Sequence, residues 1–309
     1  MKVLFAGASG TLGRALVPQL VDAGHEVIGI TRDPAAGARL AGLGVEPVVA
    51  DVLDRDALIA AVSGHRADAV LHELTALRSA PTHDRSMHAT NVLRTTGTRN
   101  LLDAARAVGA RRMVTQSIVF GYGFGAHQGV LDEAAPFGVV DPSQPRETTA
   151  ALAENERLVM NAEGIEGIAL RYGLFYGRDA PMIERMLRRR MLPVSSWAGD
   201  VPLVHHDDAA AATVAALERG IPGVAYNIAD DDPGQSWRGY LAEAATVFGA
   251  PRPLTLPAGL LRVAIPYAAR LMTELDLRVD SGRAHRELDW TPRYPSAREG
   301  WRASAGGLP

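Results

Sequence analysis

Short apolar runs alternate with longer stretches of helical periodicity along most of this chain. Runs over 2–6, 26–30, 47–50, 69–72, 112–116 and 165–171 predict strands. Between them, 11–23, 54–62, 91–108 and 147–162 predict helices, with Ser or Asp near helix starts and Gly24 after the first. Strands alternating with helices predict a parallel sheet covered on both faces. Beyond residue 174 the alternation weakens. Short apolar elements at 201–205 and 224–228 mix with predicted helices at 207–217, 237–248 and 258–272. Two long Gly- and Pro-containing stretches, 120–146 and 172–202, follow strand ends, where doubly wound sheets bind ligands.

The first strand runs into Gly7-Ala8-Ser9-Gly10-Thr11-Leu12-Gly13, which opens the first helix. Three glycines at this spacing, between a strand and a helix, form a dinucleotide fingerprint. Gly7 permits the tight turn, Gly10 lets a pyrophosphate approach the backbone, and Gly13 lets the helix pack on the strand. Ser9, Thr11 and Leu12 complete the loop, whose helix N-terminus offers N–H groups to phosphate. The expected fold is therefore α/β. A Rossmann-type doubly wound sheet spans 1–173, and a small C-terminal α/β substrate lobe spans 174–309, with some elements returning to the sheet.

The second strand ends in Thr31-Arg32-Asp33. An NAD site places an acid there for the ribose 2′-hydroxyl, whereas Arg pairs with a 2′-phosphate. Arg32 thus predicts NADP(H) in preference to NAD(H), with Arg32 as a solvated loop charge as the bland alternative. Asp51-Val52 after the third strand is placed for the adenine edge, or Asp51 simply caps the next helix.

Composition narrows the classes. A net charge of −3 gives no electrostatic reason to expect nucleic acid or a membrane surface. With no cysteine, disulfides and thiolate chemistry are excluded. No apolar run reaches the ~20 residues of a membrane span, and no secretory signal precedes the first strand, so the expected compartment is the cytoplasm. Lys2 is the only lysine, and the bias toward Arg reads as a coding preference.

The chain resembles the extended and atypical short-chain dehydrogenase/reductases, including NAD-dependent epimerase/dehydratases, over nearly its full length. The markers are Gly7–Gly13, Asp51-Val52, Val70-Leu71-His72, Asn91 with the 97–102 run, Gln116-Ser117, Arg171 with Tyr176-Gly177, and His206-Asp207-Asp208. The resemblance implies a seven-stranded nucleotide lobe, a substrate cleft between the two long loops, and cofactor contacts from Leu74, Thr75 and Tyr172. Tyr172 stands where the family often has proline, beside the expected nicotinamide amide. The family also carries a Tyr-x-x-x-Lys pair at the start of the helix after the long loop. Here Thr148 and Leu152 occupy those positions, and no shift of register supplies a lysine. Tyr provides the proton and Lys lowers its pKa; Thr148 and Leu152 do neither.

Other groups must therefore be weighed. Ser117 is nearest to the family's carbonyl-orienting hydroxyl, or it caps the strand end. Tyr122 is the best substitute acid, although an aromatic wall for a flat substrate is the commoner role. His127, Tyr172 and Tyr176 lie in or beside the cleft loops. His205 and His206 beside Asp207-Asp208 lack the i, i+4 spacing of helix-borne metal ligands, so no metal is expected. His83, Asp84 and His88 belong to a surface or substrate loop. Arg185 and Arg188–Arg190 read as a solvated helix face, with contact to the nucleotide-sugar phosphates that the family binds nearby as the alternative, and 254–272 as lobe packing or an oligomer face. The reading that follows is an NADPH-dependent reductase of a carbonyl group on a small, flat or polycyclic secondary metabolite. The partner is that small molecule, and the protein is a monomer or homodimer. The alternatives are a nucleotide-sugar epimerase or dehydratase, and a non-catalytic NADP(H)-binding sensor or scaffold.

Overall fold

The computed structural model describes residues 1–77, 81, 83–139, 146–197, 199–232 and 234–306. Seven parallel strands make the central sheet: β1 Lys2–Ala6, β2 Glu26–Thr31, β3 Glu46–Val49, β4 Ala69–His72, β5 Arg112–Ile118, β6 Glu166–Tyr172 and β7 Ala225–Ile228. Their order is β7-β6-β5-β4-β1-β2-β3. The chain starts in the middle of the sheet, moves out to β3 and returns through β4, so the direction of winding reverses beside β1. β7 is the element beyond residue 174 that returns to the sheet, pairing with β6 from Ala225↔Ala169 to Ile228↔Tyr172.

Strand side chains alternate between two cores. Val3 and Phe5 of β1 pack on one face with Leu16, Leu20 and Ala212. Leu4 and Ala6 pack on the other with Ile28, Val70 and Leu101. The helices on these faces are α1 Thr11–Asp22, α2 Pro34–Ala41, α3 Arg55–Val62, and α4, which is composed of His88–Val92, a π turn Leu93–Gly97 and Thr98–Val108. They continue with α5 Arg146–Met160, while α6 Ala180–Arg188 packs away from the sheet, in a third core, and α7 His206–Arg219 returns to the sheet. That third core gathers Tyr176, Tyr240, Leu275 and Trp301 from beyond residue 174 together with Met87, Val119 and Phe120.

Three differences from the pattern-based expectation have physical causes. α2 was too short and Gly-interrupted to show periodicity; it forms because Asp33 accepts from the Ala35 N–H at 2.9 Å and Pro34 stands in its first turn. The stretch expected as one helix over 258–272 is two, Ala258–Ala264 and Pro266–Glu274. Pro266 disfavours the helical conformation at Ile265, which sits at φ −141°. The stretch 172–202, expected to be irregular, contains α6 and a strand Leu174–Tyr176 paired with Leu203–His205.

Candidate functional site

The glycine loop has the shape its spacing implies. Gly7 has φ +119°, and a Cβ there would lie 2.8 Å from the Glu73 carbonyl oxygen. A Cβ on Gly13 would lie 2.3 Å from the Gly7 carbonyl oxygen and 2.4 Å from that of Ala8. The Gly10 N–H closes the turn onto the Gly7 carbonyl at 2.9 Å. α1 has no side-chain cap and no acid in its first turn. Its first N–H groups therefore lack the partner a capping side chain would give. Ser9, Gly10 and Thr11 are exposed while Leu12 and Gly13 are buried. A backbone cradle that excludes any Cβ and leaves a positive helix end open fits a dinucleotide pyrophosphate.

Arg32 stands at the end of β2 with its side chain 63% exposed, and its Nη1 lies 3.7 Å from Asp51 Oδ2. Asp33, the acid nearest a ribose position, is committed to capping α2. Asp51 does not cap the following helix: Asp54 does, accepting from the Ala57 N–H at 3.1 Å. Asp51 instead accepts from the Leu53 N–H, and the Val52 carbonyl accepts from Asn100 Nδ2 at 2.8 Å. Beyond β4, the Leu74 carbonyl accepts from Gln116 Nε2, Thr75 is exposed, and the Ala76 N–H donates to Thr90 Oγ1. Glycine loop, β2 end and post-β4 loop thus share the carboxyl edge of the sheet.

Tyr172 is placed differently from the expectation. Its ring is fully buried, and its hydroxyl lies 2.7 Å from Thr213 Oγ1 and donates to Glu73 Oε1 at 3.2 Å. The structure does not bring this side chain to the open edge. Glu73 carried no signal in the sequence beyond being an acid directly after an apolar strand. Its Oε2 is buried without a partner among the described residues, and burial pushes its carboxyl up to about 8.

Ser117 lies inside β5, which extends through Ile118, so it does not cap the strand end. Its Oγ is buried and without a hydrogen-bond partner among the described residues. It therefore makes no hydrogen bond to Tyr122. Tyr122 is the hub of a buried network. Its hydroxyl donates to Asn227 Oδ1 at 2.8 Å and accepts from Arg171 Nη1 at 3.0 Å. Arg171 in turn grips Glu156 of α5, with Nε to Oε1 at 3.0 Å and Nη2 to Oε2 at 2.8 Å. The guanidinium also lies 3.8 Å from the centre of the Phe137 ring. Burial raises the pKa of the Tyr122 phenol.

The positions of the family pair are both interior. Leu152 is fully buried, and Thr148 Oγ1 accepts from Asn91 Nδ2 at 3.3 Å. One turn further along α5, Asn155 donates to the Gln116 carbonyl at 2.7 Å and accepts from Thr98 at 2.8 Å. His72 Nε2 lies 3.1 Å from Thr98 Oγ1, and burial holds the imidazole down at about 4, so it is neutral. Neither Asn155 nor the buried Arg94 of α4 stood out in the sequence, because both fall within helical periodicity.

Several other candidates have structural partners. His127 Nε2 faces the Gly123 carbonyl, and the Tyr176 hydroxyl donates to the Ser296 carbonyl. His205 accepts from the Asp207 N–H, His206 meets the Tyr176 carbonyl, and Asp208 accepts from the N–H groups of Arg293 and Tyr294. Asp84 pairs with Arg270, His88 with Glu147, and Arg188 with Glu184.

Comparison with known proteins bears on the family and the fold. The NAD-dependent epimerase/dehydratase family matches residues 3–229. A 3-diazoavenalumate denitrifying reductase from a Streptomyces species is 40% identical, covering 97% of this chain and 99% of its own. A 2-alkyl-3-oxoalkanoate reductase from Stenotrophomonas maltophilia is 31% identical, covering 82% and 77%. Among solved structures, a UDP-glucose 4-epimerase from Thermotoga maritima superposes with a TM-score of 0.78 at 20% identity, covering 99% and 98%. A human epimerase family protein, SDR39U1, solved with NADPH, gives 0.79 at 19% identity, covering both chains in full. This chain is an oxidoreductase and belongs to the NAD-dependent epimerase/dehydratase family.

Proposed function

We propose that the protein reduces a small, flat secondary metabolite with NADPH and supplies no tyrosine–lysine acid of its own. The observation that carries this reading is the intact glycine cradle beside a buried Thr148 and Leu152. When bound, the nicotinamide supplies hydride from its C4. The cradle from Gly7 to Gly13 would hold the pyrophosphate, Arg32 a 2′-phosphate, and the Leu74–Thr75 backbone the ribose side. The exposed Arg32, with Asp33 turned into a helix cap, supports NADPH over NADH.

For a carbonyl acceptor, the alkoxide left by hydride addition takes its proton from water, from Ser117, or from a phenol on the substrate itself. A second reading of the acceptor is favoured by the 40%-identical denitrifying reductase together with the absent acid. Hydride added to the terminal nitrogen of an arenediazonium gives an aryldiazene. That species loses N2, and the same hydrogen ends on the ring carbon. Charge and atoms balance without any external proton, which suits a site without the tyrosine–lysine pair.

The test is a titration with NADPH and NADH followed by turnover assays. Binding should favour NADPH, and NADPH should be consumed with either an ortho-hydroxyaryl ketone or an ortho-hydroxyarenediazonium. Alcohol formation assigns the first acceptor, and N2 release by mass spectrometry the second. Tight cofactor binding without turnover of either would leave the sensor reading. Release of a keto-sugar from a nucleotide sugar would restore the epimerase reading.

A further inference from the structure

Buried guanidinium groups ordinarily meet a carboxylate, as Arg171 meets Glu156. Arg94 meets none among the described residues. It is 5% exposed. Within that set its one side-chain hydrogen bond is from Nη1 to Asn91 Oδ1 at 3.3 Å, and its Nε is buried with no acceptor. Burial brings its pKa down only to about 10, so the charge persists at neutral pH.

Its position gives that charge a meaning. Arg94 lies in the π turn of α4 that packs on α5. Its neighbours on the same face, Asn91 and Thr98, reach across to Thr148 and Asn155. Those two residues bracket Leu152 on α5. Arg94 therefore stands on the facing helix at the level where the family pattern has its lysine. Its charge acts on His72 at the end of β4 and on Tyr267 of the C-terminal lobe. The loop carrying Leu74 and Thr75 is fastened beside it, through the Ala76 N–H to Thr90. Strand end, pair helix and substrate lobe meet at this cation.

We propose that Arg94 binds an oxyanion of the substrate, and that the substrate is consequently an aromatic acid, carboxylate or phenolate. This deepens the reductase reading and rests on it. A guanidinium is suited to that role, because its donors form a planar fork that matches a carboxylate and it does not surrender a proton. The charge lost with the lysine is kept, but for binding rather than for acidifying a tyrosine.

Isothermal titration of the full chain loaded with NADP+ tests this with two matched pairs. One pair is cinnamate and methyl cinnamate; the other is 4-nitrophenolate and 4-nitroanisole at mildly alkaline pH. At least one anion should bind more than about tenfold tighter than its neutral partner, and which one does so distinguishes carboxylate from phenolate. Arg94→Gln should weaken that anion roughly thirtyfold or more, the usual loss when one partner of a buried charge pair is truncated. The neutral probe should be unaffected, and Arg94→Lys should retain part of the preference. If Arg94→Gln fails to fold, Arg94→Lys carries the comparison, since it must still lose affinity for the anion relative to wild type. Equal binding of anion and neutral form by wild type, binding of neither anion, or unchanged anion affinity in both variants overturns the proposal. Wild type that does not bind NADPH overturns the reductase reading instead, whereas intact NADPH binding with indifference to anions overturns only the role of Arg94.

Discussion

Arg32→Ala tests the cofactor preference most directly. The Arg32 guanidinium is 63% exposed, and its charged neighbour is Asp51, 3.7 Å away and itself 43% exposed. A hydrogen bond to a charged group contributes about 1.5–3 kcal/mol, but solvent screening at so open a site favours the low end, about 1–2 kcal/mol. At about 1.4 kcal/mol per decade, kcat/KM for NADPH should fall roughly fivefold to thirtyfold. NADH has no 2′-phosphate and should change by less than about twofold. Asp51→Asn removes a competing acid and should move NADPH the other way, by no more than about 1 kcal/mol. Because the Debye length is about 8 Å at physiological salt, the wild-type preference should shrink as ionic strength rises, whereas Arg32→Ala should be nearly insensitive. Steady-state kinetics with both cofactors across a salt series measures all three effects. An unchanged NADPH-to-NADH ratio in Arg32→Ala would refute the assignment of Arg32 to the 2′-phosphate.

Gly13→Ala forces a Cβ against two backbone carbonyl oxygens, so NADPH binding should weaken by about 100-fold, near the upper end of the usual overpacking cost of about 1–3 kcal/mol; Gly259→Ala, where a Cβ meets open space, is the control, and fluorescence titration reads both. Ser117→Ala and Tyr122→Phe should each keep turnover within about tenfold of wild type, and a loss above roughly 10³-fold in either would identify a protein acid instead. The Glu73 carboxyl is raised from its ordinary 4.5 to about 8 in the folded state. The folded protein therefore binds the extra proton across that window, and stability should fall as pH rises from about 4.5 to about 8. Glu73→Gln should flatten this slope, and urea midpoints measured against pH would show it; parallel slopes for both proteins would exclude Glu73 as the source.

How much of this was legible in the sequence depends on the range of the forces involved. The glycine cradle was legible because its requirement is local: a turn with positive φ and two close backbone approaches leave no room for any other residue. The strands were legible because β1 meets a core on each face, so nearly every position is buried and the strand reads as a continuous apolar run. α2 was not, since a two-turn helix held by one Asp33 cap and a proline has too few apolar positions to show a period. The break at Pro266 was readable in principle: the residue before a proline resists helix, and the apolar periodicity alone hid it.

The chemistry of the site was less legible because it depends on who pairs with whom. Tyr122 reads as a free phenol in a loop, yet it is held by Arg171 and Asn227, residues 49 and 105 positions away. Arg94 reads as one more polar position on a helix, and only the fold shows that no acid among the described residues comes to meet it. The same physics makes both outcomes informative. In a low-dielectric interior a paired charge such as Arg171–Glu156 fixes two elements together, because removing either partner strands the other at a cost of about 3–5 kcal/mol. Arg94, which meets no acid among the described residues, costs desolvation and returns only its bond to Asn91. Selection for stability alone would replace Arg94 with an apolar residue, as position 152 on the facing helix is already leucine. Its presence on the helix that faces Leu152 is therefore best accounted for by something outside the chain: an anion that arrives with the substrate and completes the pair.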